Sequence, residues 1–242
     1  MIADRLIAHR GCALLRPENT LEAMRVTADL GVPWVEIDAN LLGDGTAIMF
    51  HDDYLDRLTN GSGPLAACNW QDVATLDVGS HFSTEYSAER IPRLDDAVAL
   101  IDELRLGLNL EIKLYPHYAV ADILPPVVAV LEKSWSRFDN LIISSFSTEA
   151  LRALRALQPD WQLGQLWERI PADWAMLAEE LGLVSIHCDY RYLDVATIAA
   201  IKAAGLDLYC YTVNDPTAGQ VLLKAGVDGL ITDNPLLFNL QD

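Results

Sequence analysis

The sequence predicts an α/β fold built on a parallel sheet, and three observations carry that prediction. Apolar, β-branched runs alternate with helical stretches. In the second half, runs beginning near Leu141, Gln162, Val184, Asp207 and Asp228 recur about every 21 to 23 residues, the size of one strand plus one helix. The chain has 242 residues, 51% of them hydrophobic, and no Gly/Ser-rich linker divides it. One barrel of typically ~250 residues fits this length as well as two small domains would.

The elements follow in order. LIAH forms the first strand, and a helix over Thr20 to Leu30 follows, with Asn19 as its cap, Glu22 in capping-box position and Gly31 and Pro33 as its stop. WVEID (from Trp34) and AIMF (to Phe50) are strands, joined by a GDG connection too short for a crossover helix. Residues 53–93 carry NGSGP and little periodicity, and a stretch that long without regular elements reads as a lid or small subdomain. LNLEI, LIIS, QLGQL, VSIH, LYCYT and GLIT complete the strands, and between two of them Asp194 opens a helix that Gly205 closes. That makes nine runs for the eight positions of a barrel, so one is an irregular extension.

Composition narrows the partners. The chain has 17 basic and 35 acidic residues, a net charge of −18, which excludes nucleic acid and stable association with an anionic membrane as natural partners. No stretch reaches the ~18 apolar residues of a membrane span, and no basic leader precedes the first strand, so a cytoplasmic location is expected. Cys12, Cys68, Cys188 and Cys210 show neither CxxC spacing nor zinc-finger histidines and are expected to be reduced thiols. Nothing in the sequence bears on oligomeric state.

The chemistry lies in two pairs of charged residues, Glu36/Asp38 and Glu111/Lys113, each spaced two residues apart at the end of an apolar run. Strand side chains alternate faces, so both members of a pair point the same way. Three carboxylates crowded together repel unless a hard divalent cation such as Mg²⁺ or Ca²⁺ neutralises them, with Mn²⁺ also suited to oxygen donors. His9 and His51 each end a strand and suit an acid and base pair at neutral pH. Arg10 and Lys113 supply the positive charge a phosphate needs. Glu18, in RPENT, is placed to face the same pocket. Tyr211 reads either as the floor for a small polyol or as a core aromatic, and Phe146, Trp70, His81, Phe82 and Tyr86 are further contact candidates.

Read together, AHRG followed by PENT, then EID, HDD with LDRLTNG, LEIK, ISSF, YTVND and GVDGLITDNP resemble the glycerophosphodiester phosphodiesterase family, in the same order over nearly the whole chain. The resemblance implies a TIM (β/α)8 barrel with a small insertion after the third strand. It implies a divalent-metal enzyme that hydrolyses glycerophosphodiesters, such as glycerophosphocholine or glycerophosphoethanolamine, to sn-glycerol 3-phosphate and an alcohol. By position, Glu36, Asp38 and Glu111 match the family's metal ligands, His9 and His51 its acid/base pair, and Arg10 and Lys113 its phosphate binders. Glu18 belongs to the same pocket. Where the family commonly has tryptophan in WTVN, this chain has Tyr211, which alters the glycerol end. The chain looks like the cytoplasmic bacterial members.

Two rival functions stay in view. A phospholipase-like diesterase acting on lysophospholipid or phosphoinositide needs an apolar rim, and the charge of the chain disfavours it. A non-catalytic barrel that binds a metal or phosphometabolite has no use for a matched acid and base.

Overall fold

A computed structural model describes residues 5–238. The expected single domain over residues 1–242 therefore includes short ends outside the described residues. Eight parallel strands form the barrel: β1 (Leu6–His9), β2 (Trp34–Leu41), β4 (Gly107–Ile112), β5 (Leu141–Ser145), β6 (Gln162–Trp167), β7 (Ser185–Asp189), β8 (Asp207–Tyr211) and β9 (Gly229–Thr232). β1 pairs in parallel with both β2 and β9, which closes the sheet. The remaining strand, β3 (Ala47–Met49), pairs antiparallel with β2 only. It is the ninth run that the eight barrel positions do not accommodate, folded back as a hairpin arm because the GDG turn leaves no room for a crossover.

Helices wrap the outside: α1 (Leu21–Asp29), α3 (Leu94–Glu103), α4 (Val120–Ser134), α5 (Thr148–Leu157), α6 (Trp174–Leu181), α7 (Val195–Ala203) and α8 (Pro216–Ala225). The local reasons are ordinary ones. In α5 the Ser147 hydroxyl accepts from the Ala150 amide, and Ala150, Leu151 and Leu154 bury one face at helical spacing. Asp194 caps α7 through the Thr197 amide, and Gly205 follows that helix at a positive φ of 78°, as the sequence predicts. No helix among the described residues is long and apolar enough to cross a membrane.

Residues 53–93 leave the barrel along the β3 arm and contain only a short helix, α2 (Trp70–Val73), and two 3₁₀ turns. Leu55, Leu58, Leu65, Val73, Val78 and Ile91 pack with Leu42, Ile48 and Phe50 of the arm into an apolar cluster separate from the main core. The segment thus holds itself together without regular structure.

Inside the barrel, residues paired in register share a face, so large and small side chains must alternate between strands. Trp34 lies across Gly107, where a Cβ would come within 2.3 Å of the indole. His187 leans over Gly164, where a Cβ would meet its Nε2 at 2.6 Å. His187 is fully buried, with Nε2 2.9 Å from the Ser185 hydroxyl and its ring edge-on to Tyr209. Burial alone lowers its pKa to about 3. The unfolded chain takes up this proton near pH 6.5 and the folded barrel refuses it, so His187 stabilises the fold above that pH and the benefit drains away towards pH 3. Replacing His187 by Gln should therefore flatten the acid limb of stability by about 1.4 kcal/mol per pH unit below pH 6. Urea unfolding of both proteins at pH 7, 6, 5 and 4.5 checks this, and parallel profiles would contradict it.

Candidate active site

The register explains why the carboxylates meet. Asp38 of β2 pairs directly with Glu111 of β4, and Glu36 lies two residues from Asp38 on the same face, paired with His9 of β1. One oxygen from each of Glu36, Asp38 and Glu111 lies within 4.8 Å of the other two, and all three residues are buried. Glu111 is next to the last residue of β4 and Glu36 is in register with His9, the last residue of β1, so the cluster faces the end of the barrel where such enzymes build their sites.

Two cations partly balance this cluster. Lys113 Nζ donates to Glu111 Oε1 at 2.6 Å and lies 3.1 Å from Asp38 Oδ1. Arg10 Nε lies 3.3 Å from Asp38 Oδ2. Burial would raise the Asp38 pKa, but Lys113 and Arg10 outweigh it and hold this carboxyl well below its usual range. Glu36 is left over: burial, with the Asp38 charge adding to it, pushes its pKa up to about 8. Glu111 is raised as well, by burial against the pull of Lys113. Glu36 Oε1 is buried without a hydrogen-bond partner among the described residues. An all-oxygen, under-neutralised donor set of this kind fits a hard divalent cation.

His9 and His51 flank the cluster, each backed by a carboxylate. His9 Nδ1 is 2.6 Å from Asp233 Oδ1, and Asp233 accepts at 2.7 Å from Asn214 Nδ2. His51 Nδ1 is 2.7 Å from Asp52 Oδ1, and Arg57 Nε donates to Asp52 Oδ2 at 2.6 Å. Burial opposes ionisation of Asp233 and Asp52, yet hydrogen bonds from His9 and Asn214, and from His51 and Arg57, lower both pKa values. Both are therefore carboxylates that can only accept, so each histidine carries its proton on Nδ1 and keeps Nε2 free. His9 Nε2 stands 3.9 Å from Glu36 Oε2.

A cavity of about 220 Å³ runs between these groups, bordered by His9, Arg10, Glu36, His51, Glu111 and Lys113. Its far wall is Leu166, Ile231, Phe146 and Tyr211, with the rings of Phe146 and Tyr211 meeting edge to face at 6.1 Å. A second recess of about 280 Å³ shares His51, Glu111, Lys113 and Phe146 and extends past Tyr115 and Ser147.

Glu18 does not border either space. Its Oε1 accepts from Arg10 at 2.7 Å and from Arg57 at 2.8 Å, and its Oε2 from Arg57 at 3.0 Å. It stands behind Arg10, bridging the Arg10 and Arg57 guanidiniums. Trp70, His81, Phe82 and Tyr86 also lie away from both spaces. Arg93 covers the Trp70 ring and Phe82 packs on Tyr86, because the β3 arm carries this segment outward onto its own cluster.

Asn19 is not the cap of α1. Thr20 is, accepting from the Ala23 amide at 3.2 Å. Asn19 adopts φ 54°, a left-handed conformation that asparagine tolerates, and its Nδ2 donates to Asp38 Oδ2 at 2.7 Å. Arg10, at φ 51°, is held in the same region. Such strain costs about 1–3 kcal/mol per residue and persists where surrounding contacts enforce it. Here the enforcing contacts are the Arg10 amide on Glu36 Oε2 and the Asn19 amide on the Arg10 carbonyl.

The comparisons with known proteins agree with this geometry. The profile of the Glycerophosphoryl diester phosphodiesterase family matches residues 9–237. The chain belongs to that family. With membership comes its class of reaction, the hydrolysis of phosphodiesters of glycerol. A glycerophosphodiester phosphodiesterase of Caldanaerobacter subterraneus subsp. tengcongensis is 33% identical, over 97% of this chain and 96% of its own. A glycerophosphodiester phosphodiesterase of Bacillus subtilis is 30% identical, over 98% of this chain and 86% of its own. A solved Oleispira antarctica phosphodiesterase, in complex with the product sn-glycerol-3-phosphate, superposes with a TM-score of 0.92 at 36% identity, covering 96% of this chain and 93% of that one. The fold expectation is met by the closed barrel.

Proposed function

We propose that this cavity hydrolyses glycerophosphodiesters to sn-glycerol 3-phosphate and the released alcohol, with the residues in the following roles. The observation that carries the reading is the convergence of three buried carboxylates with two carboxylate-backed imidazoles around one cavity. The Oleispira relative supports it by holding sn-glycerol-3-phosphate.

Glu36, Asp38 and Glu111 hold a divalent cation, Mg²⁺ or Ca²⁺ with Mn²⁺ as a substitute. When bound, the cation polarises a phosphoryl oxygen as a Lewis acid. Arg10 and Lys113 bind the remaining phosphate oxygens and attract the anion into an otherwise acidic protein. One imidazole takes a proton at its free Nε2 from the nucleophile, either water or the glycerol 2-hydroxyl, whose cyclic phosphate water then opens, and the other gives one to the leaving oxygen. Glu18 and Arg57 keep Arg10 and Asp52 in place. Phe146 and Tyr211 wall the glycerol, and the alcohol extends into the recess beside Tyr115. Residues 53–93 form a small subdomain of this one catalytic domain, as their separate apolar cluster supports. We also place the enzyme in the cytoplasm, with buried thiols at Cys12, Cys188 and Cys210 that are not in disulfides.

The test is a coupled assay for glycerol 3-phosphate over a panel of glycerophosphodiesters. Turnover that EDTA abolishes and Mg²⁺, Ca²⁺ or Mn²⁺ restores supports the reading. Tight binding without hydrolysis would replace it with the non-catalytic one.

Asp233 acts through His9. Replacing it by Asn removes the charge that fixes the Nδ1–H tautomer and stabilises the imidazolium, so kcat should fall about 10²-fold or more with KM little changed. Steady-state kinetics together with a thermal melt check this, and a KM effect alone would remove Asp233 from the relay.

A further inference from the structure

Asn109 is a polar residue where the barrel offers it no partner. It lies on the inner face of β4, one inward position deeper than Glu111, and is 1% exposed. Its register neighbours are Glu36 on one side and Ile142 on the other. Neither its Oδ1 nor its Nδ2 has a hydrogen-bond partner among the described residues, yet it borders the central cavity. A leucine there would keep the volume without burying an unsatisfied amide.

The Tyr211 hydroxyl is also buried without a partner, and the tyrosine borders the same cavity. Apart from Thr212, the rest of that wall is carbon: Leu166, Ile231 and the Phe146 ring. A ligand anchored by its phosphate at Arg10 and Lys113 and carrying hydroxyls into this space meets few other groups that can hydrogen-bond them. A hydroxyl both donates and accepts, and a primary amide offers both functions.

We propose that Asn109 is a specificity residue, whose side-chain amide hydrogen-bonds a hydroxyl of the glycerol moiety and selects diesters that carry it. The inference rests on the glycerophosphodiesterase reading of the site. It assigns phosphate charge and diol recognition to different residues: Arg10 and Lys113 read the anion, and Asn109 reads the polyol. A site built to hydrogen-bond a hydroxyl rejects an analogue that lacks it by orders of magnitude, because its own buried polar group is then left unpaired.

The experiment compares three ethanolamine phosphodiesters, those of sn-glycerol, propane-1,2-diol and propane-1,3-diol, with wild type and with the Asn109→Leu and Asn109→Ala variants. In wild type kcat/KM should favour the glycerol diester strongly over at least one diol analogue. In both variants that preference should shrink at least tenfold, chiefly through loss of rate on the glycerol diester. Preferences unchanged within threefold, with all substrates slowed alike, would mean that Asn109 has a structural role only and would overturn the inference. Should Asn109→Leu fail to fold, the Asn109→Ala result decides. Failure of the wild type to release glycerol 3-phosphate from the glycerol diester would sink the functional reading itself, a result distinct from unchanged preferences.

Discussion

Asp38→Asn lowers kcat/KM on a glycerophosphodiester on the order of 10³-fold, even with saturating divalent cation. The expectation follows from where Asp38 sits. It is 1% exposed, it is in register with Glu111, and it is the carboxylate on which Lys113, Arg10 and Asn19 all converge. An amide keeps its shape but gives up the charge. The cation then loses an anionic ligand while Lys113 and Arg10, both well buried, lose their shared counter-ion. Removing one partner from a buried ion network typically costs about 3–5 kcal/mol, so the melting temperature should fall too. The variant should still fold, because the barrel core around it is untouched. Kinetics at several Mn²⁺ concentrations separate the two effects. Activity within tenfold of wild type would show that Asp38 neither ligates nor organises the site.

His51→Ala should cost at least about 10²-fold in kcat with little change in stability. His51 is half-buried at the mouth, and its partner Asp52 remains engaged by Arg57 after truncation, so no charge is stranded. The corresponding His9 variant should lose a comparable factor. Near-normal turnover by His51→Ala would take it out of the mechanism.

Much of this architecture is legible in the sequence, and the illegible parts share one cause. Glu36, Asp38 and Glu111 can be read because a two-residue spacing in a strand is enough to say that they face the same way. His9 and His51 can be read because each ends an apolar run. Asp233 cannot be read so, although ITDNP is conspicuous, because its partner His9 is 224 residues away and only the β1–β9 closure of the barrel joins them. Arg57 is equally silent: its role appears only when the insertion folds back to place it between Glu18 and Asp52. Asn19 misleads, since asparagine before a helix usually caps it, and here the next residue takes that duty and frees Asn19 for Asp38. β3 misleads for a related reason, because a hairpin strand and a barrel strand have the same apolar, β-branched composition. Asn109 hides inside an apolar run, where only the absence of partners in the folded protein marks it out.

The central claim is that Glu36, Asp38 and Glu111 together form one divalent-cation site beside the two histidines. Anomalous diffraction from crystals soaked in Mn²⁺ and glycerol 3-phosphate tests it most directly. The account predicts a single strong peak within about 2–2.5 Å of an oxygen from each of the three carboxylates, with the phosphate next to it. A peak bound elsewhere, or no peak at a Mn²⁺ concentration that supports turnover, would contradict it.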